Sequence, residues 1–121
     1  MTTRRALVLA TLALVGAPAW PTPSALEAAR IERLIQYVEA QQQAKFIRNG
    51  TPYSCQEAAQ FLRAKYDKMG EHVGTAAQFI DQIASRSSTS AQAYLIRFAD
   101  GHTVPAAQFL GDELKRIDKL P

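Results

Sequence analysis

Apolar residues recur every three or four positions in most of the chain, and two shorter runs are rich in β-branched and aromatic residues. Three of the helical segments open with Ser or Thr followed three residues later by Glu or Gln. This capping box satisfies two free backbone N–H groups at a helix start. Ser24 and Glu27 predict a helix to about Gln43, and Ser54 and Glu57 predict a second helix to Met69. Thr75 and Gln78 predict a third, shorter helix.

Two runs predict strands, Lys45–Arg48 (KFIR) and Ala93–Phe98 (AYLIRF). Because an isolated strand leaves its backbone groups without partners, we expect the two runs to pair, in antiparallel fashion. A last helix is predicted from about Pro105 to Leu120, since proline is tolerated in a first helical turn. The pattern therefore predicts an α+β fold in the order α-β-α-α-β-α, with about four helices packed on a small two-stranded sheet.

The first residues have the organisation of a signal peptide. Arg4 and Arg5 precede a twelve-residue apolar run that is too short to span a bilayer, and Ala17-Pro18-Ala19 is typical of a signal peptidase site. We expect residues 1–19 to be removed after Ala19, which leaves a single domain of residues 20–121 in the periplasm without a membrane anchor. A buried N-terminal helix is the alternative interpretation.

Charge and cysteine content exclude several classes of function. The net charge of +3 falls to +1 without Arg4 and Arg5, and the cations are scattered, so the sequence does not indicate a nucleic-acid partner. The single cysteine excludes an intramolecular disulfide and a cysteine-based zinc site. His72 and His102 lack nearby carboxylates at metal-ligand spacing. We therefore expect no metal and no cofactor.

Four motifs resemble one family of small exported bacterial proteins that is filed as a domain of unknown function. They are FIRNG (46–50), Cys-x-Glu-Ala-x-x-x-Leu-x-x-Lys (55–65), TAAQFIDQIASRSS (75–88) and YLIR (94–97). The resemblance covers about residues 28–114 and implies a periplasmic single-domain protein without an assigned activity or catalytic residues. Relatives often have histidine where this chain has Phe61, and they tend to have glycine and proline where it has Ala91 and Ala93.

The lone cysteine, Cys55, lies at the first turn of a predicted helix. The positive end of the helix dipole would favour a thiolate there, so a reactive thiol is one interpretation. A nucleophile also needs a positioned base, and His72 lies beyond the far end of the same helix, which is roughly 22 Å long. A residue that packs behind the FIRNG turn is the simpler interpretation.

Arginines define the candidate binding site. Arg48 ends the first strand, Arg97 lies in the second, and Arg86 lies in the serine-rich segment between third helix and second strand. Pairing of the strands would bring Arg48 and Arg97 to one end of the sheet, where guanidinium groups can capture a carboxylate or phosphate. Neighbouring groups that could complete the site are those of Asn49, Tyr53, Ser87 and Ser88. Alternatively, each of these arginines forms a surface ion pair or covers the sheet with the aliphatic part of its side chain.

The remaining aromatic residues, Phe46, Phe61, Phe79 and Tyr94, follow helical or strand stripes and are predicted to lie in the core. Export, small size and the lack of an assembled acid, base or nucleophile set favour a periplasmic binding or interaction module. Its partner would be an envelope protein or an anionic cell-wall ligand. The alternative is a small enzyme or redox-partnering protein that uses Cys55 or a serine in the segment 85–90.

Overall fold

The computed structural model describes residues 24–120, so the predicted signal peptide lies outside the described residues. Nine elements follow one another in this range. They are α1 (Ala25–Glu39), β1 (Lys45–Arg48), β2 (Thr51–Ser54), α2 (Cys55–Met69), a 3₁₀ turn (Gly70–His72), α3 (Ala76–Gln82), β3 (Leu95–Arg97), β4 (Thr103–Pro105) and α4 (Ala106–Asp118). The α+β class and the four helices agree with the prediction from the sequence. Among residues 24–120, none of the helices has the length and hydropathy of a membrane span.

The three predicted helix starts are correct, but only one carries a complete capping box. Ser54 Oγ accepts from the Glu57 amide at 3.0 Å, and Glu57 Oε1 accepts from the Ser54 amide at 3.0 Å. At α1, the Glu27 carboxylate instead accepts a hydrogen bond from the Ala76 amide at 2.8 Å. This hydrogen bond links the start of α3 to α1. Helix α1 also ends at Glu39, earlier than the predicted Gln43.

The sheet has four antiparallel strands rather than the predicted two, in the order β2-β1-β3-β4. The predicted pairing of β1 with β3 is present, with Phe46 opposite Ile96. Strand β2 returns from β1 through Asn49 and Gly50, whose φ angles of 51° and 79° are those of a two-residue hairpin turn. Pro52 is tolerated because β2 is an edge strand.

Strand β4 extends the sheet at the other edge. Gly101, with a φ of 94°, turns the chain after β3, and β4 pairs with β3 through Val104 opposite Ile96. Pro105 is the residue before α4 rather than its first helical residue. The prediction of two strands missed β2 and β4 because each is only three or four residues long and follows a tight turn.

One hydrophobic core lies between the helices and the sheet face that carries Phe46 and Ile96. Phe46, Phe79 and Tyr94 are at most 1% exposed, as predicted. Phe61 differs, because it is only partly buried and packs at the edge of this core. That edge, where α2 meets the end of β1, is the position of the candidate site.

Candidate functional site

Arg48 ends β1 on the core-facing side of the sheet, two residues after buried Phe46. Its guanidinium carbon lies 4.3 Å from the centre of the Phe61 ring, within the range of a cation–π contact. Its Nε is buried and has no hydrogen-bond partner among the described residues. Buried donors are nearly always paired, so Arg48 retains an unused donor next to an aromatic face.

Lys65 of α2 is a buried cation beside Arg48 and is only 7% exposed. Its Nζ donates to the Arg86 carbonyl at 2.9 Å and to the Tyr94 hydroxyl at 3.1 Å. Burial lowers the pKa of Lys65, and the charges of Arg48 and Arg86 lower it further. The ammonium group is therefore held in a place where its positive charge is disfavoured.

A cavity of about 380 Å³ opens at these two cations. Its walls combine cations, hydroxyl groups and apolar surfaces, namely Arg48, Lys65, Lys68, Ser87, Ser88, Thr89, Phe61, Ala64, Met69 and Tyr94. None of these lining residues is acidic, and within residues 24–120 neither Arg48 nor Lys65 forms an ion pair. The volume and the mixed lining are those of a small-molecule site.

The β1–β2 turn contacts the serine-rich segment, whose residues Ser87, Ser88 and Thr89 line this cavity. Asn49 donates to Ser87 Oγ at 3.4 Å and accepts a hydrogen bond from Ser90. Ser87 is 3% exposed, and its Oγ also accepts from the Thr89 and Ser90 amides at 3.3 and 3.4 Å. Ser88 is exposed and donates to Met69 Sδ at 3.7 Å. Ser87 therefore holds the serine-rich segment and Asn49 together by hydrogen bonds, and Ser88 is an exposed residue of the cavity wall.

The expectation that strand pairing brings Arg48 and Arg97 together is wrong. The antiparallel register places Arg97 opposite Lys45, three residues from Arg48 along β1. Side chains alternate between the faces of a strand, so Arg97 lies on the face opposite to that of Phe46 and Arg48. Arg86 lies close to Lys65. Its backbone carbonyl accepts a hydrogen bond from Lys65 Nζ, and its positive charge lowers the Lys65 pKa.

Tyr53 lies beside a second, smaller cavity of about 270 Å³. Arg48 and Phe61 line both cavities, so their stacked pair forms the wall between them. The other residues of the second cavity are Phe46, Tyr53, Glu57, Ala58 and Gln60. The two cavities therefore lie next to each other along one face of α2.

Cys55 is fully buried, and its Sγ donates to the Ala44 carbonyl at 3.6 Å. Burial raises the pKa of the thiol, and nearby Lys45 only partly opposes this effect. Burial therefore opposes the thiolate that the helix dipole would favour. No group of three metal-ligating side chains is present in the described range.

Sequence reasoning missed Lys65 and Lys68 as components of the cavity. Lys65 is four residues after Phe61 and three after Leu62, and Leu62 is completely buried. A lysine at this spacing lies on the buried face of an amphipathic helix, where charged side chains are rare unless they are paired. That position was the available signal.

Comparisons with known proteins place the chain in a family. An "Uncharacterized protein YfeK" of Salmonella typhimurium (strain LT2) is 37% identical over 81 residues, which cover 67% of this chain and 68% of that protein. No solved structure matches the chain. Residues 25–118 match the "Family of unknown function (DUF5329)", and because this match covers most of the sequence, the chain belongs to that family.

Proposed function

We propose that the chain is an exported, periplasmic binding module that recognises an anionic group in the cavity at Arg48 and Lys65. The observation that carries the proposal is the pairing of a buried, unpartnered Arg48 Nε with a buried Lys65 in a cavity that acidic residues do not line. The anion would belong to an envelope protein or a cell-wall fragment. The predicted signal peptide supports the periplasmic location.

Electrostatics favour an anion as the occupant. The cations Arg48, Lys65, Lys68 and Arg86 gather in a protein whose mature charge is predicted to be +1, so their concentration here is a local excess. Burial of a charge without a counter-ion is unfavourable, and the lowered pKa of Lys65 reports that penalty. A carboxylate or phosphate would offset the repulsion and accept hydrogen bonds from both side chains.

The alternative enzyme or redox role has less physical support. A nucleophilic thiol needs exposure and a lowered pKa, whereas Cys55 is buried and its pKa is raised. Among the serines, Ser87 uses its hydroxyl oxygen in three hydrogen bonds from Asn49, Thr89 and Ser90. These contacts support a structural role for both side chains.

The proposal is tested by calorimetric titration of the purified protein with inorganic phosphate and with acetate. We expect Arg48→Ala and Lys65→Met each to lower the affinity for the anion about 10- to 100-fold, since a hydrogen bond to a charged group contributes about 1.5–3 kcal/mol. Arg97→Ala is the matched control, because it removes an arginine from the opposite face of the sheet. Unchanged affinity in both cavity variants, with circular dichroism like that of the wild type, would disprove the proposal.

A further inference from the structure

The two adjacent cavities differ in charge along one face of α2. Lys65 and Lys68 line the first cavity, towards the C-terminal end of the helix, and Glu57 lines the second, near its N-terminal end. Phe61, stacked under Arg48, lies between them. Residues 57, 61, 65 and 68 follow the spacing of a helical stripe, so the charge separation extends along a single surface.

Glu57 has an oxygen available for a ligand. The residue is exposed, and its Oε1 completes the capping box by accepting from the Ser54 amide. Its Oε2 accepts no hydrogen bond from the described residues. Glu57 thus faces the second cavity as an anion, Lys65 and Lys68 face the first as cations, and Arg48 lines both cavities between them.

The surfaces between these charges are aromatic and apolar. Phe61 contributes to both cavities, Ala64 and Met69 to the first, and Phe46 and Ala58 to the second. Eight residues separate Glu57 from Lys65, which corresponds to a rise of about 12 Å along the helix. Four residues of extended polypeptide span a similar length, at about 3.3 Å each.

We propose that the ligand is a short peptide of about four residues with free ends. Its C-terminal carboxylate binds Arg48 and Lys65, its apolar side chains lie against Phe61, and its N-terminal ammonium binds Glu57. This inference rests on the proposed anion site and adds the second charge, the length and the chemical class. A simple anion such as phosphate would occupy the first cavity and leave Glu57 unused.

The test is calorimetric titration with tetra-alanine in three forms, with free ends, with an N-terminal acetyl group and with a C-terminal amide. We expect each modification to weaken binding about 10-fold or more, since each removes one charged contact. Glu57→Gln keeps a residue that can complete the capping box, and it should weaken the free peptide but not the acetylated one. Lys68→Ala should reduce the affinity for the free peptide, and because Lys68 is exposed, this substitution should leave the packing of the core unchanged.

The outcomes separate this inference from the proposed function. If acetylated and free tetra-alanine bind equally, or if only phosphate and acetate bind, the peptide inference is wrong while the anion site stands. Equal binding of the amidated and free peptides would also contradict the peptide inference, whereas the anion site fails only if Arg48→Ala and Lys65→Met bind phosphate and acetate like the wild type. The inference is also overturned if Glu57→Gln weakens the acetylated and free peptides to the same extent, because the effect would then be structural.

Discussion

At Cys55, burial opposes the thiolate that the helix dipole would favour. The dipole at a helix start favours a thiolate by about 0.3–2 kcal/mol. Cys55 is 0% exposed and contacts a carbonyl oxygen, so the neutral thiol is the favoured form. The residue is best understood as a small core side chain that closes the packing behind β1.

Replacement of Cys55 by serine should cost about 1 kcal/mol or less at pH 7, because the hydroxyl can donate to the same Ala44 carbonyl. The pH dependence should differ more. With a raised folded pKa, the thiol contribution is complete below the unfolded pKa of about 8.5 and is lost as the pH rises towards the folded pKa. Urea unfolding from pH 7 to 10 should therefore show a fall in wild-type stability that Cys55→Ser lacks.

A thiol reagent provides the control for this prediction. The native wild-type protein should react slowly near neutral pH, and the urea-unfolded protein should react rapidly. Rapid modification of the native protein would contradict the buried interpretation and would favour the redox alternative.

At the scale of elements, the two turns at the rim of the cavity depend on left-handed backbone. Gly50 has a φ of 79°, and a Cβ there would meet no atom within 4 Å. Ala91 has a φ of 62°, at the position where the resemblance leads one to expect glycine. A left-handed conformation costs an L-residue about 1–2 kcal/mol, so backbone strain rather than packing should determine the effect of substitutions here.

We expect Gly50→Ala to reduce the free energy of unfolding by about 1–2 kcal/mol and Ala91→Gly to raise it by about 1 kcal/mol. Gly111→Ala is the control, because Gly111 lies inside α4 with equally open surroundings. There alanine should stabilise by about 0.5–1 kcal/mol through helix propensity. Chemical denaturation measures all three, and destabilisation by Gly111→Ala as large as that by Gly50→Ala would argue against the conformational explanation.

At the scale of the whole molecule, the export prediction concerns residues that lie outside the described range. We expect the mature protein to begin near Trp20, after cleavage at Ala19. Mass spectrometry of the periplasmic fraction measures the N-terminus directly. A full-length chain retained in the membrane fraction would refute both the cleavage site and the proposed location.

Local sequence determined the helices and the class of the fold. Ser54 and Thr75 were sufficient to place two helix starts, because caps act on backbone groups within three residues. Asn49-Gly50 is also a local signal of the β1–β2 hairpin, since both residues favour positive φ, but the prediction of two strands did not use it. These features depend on interactions between near neighbours.

The assembly of the candidate site was decided by the tertiary structure. Whether Arg48 lies beside Arg97 or beside Lys65 depends on the register of β1 with β3 and on the packing of α2 over the sheet. Likewise, the carboxylate of Glu27 accepts from the Ala76 amide at the start of α3, and from Arg30 within α1, instead of completing the capping box at its own helix start. Contacts between residues far apart in sequence follow from how the elements bury their apolar faces together, and no local pattern around Arg48 specifies which cation that packing brings to it.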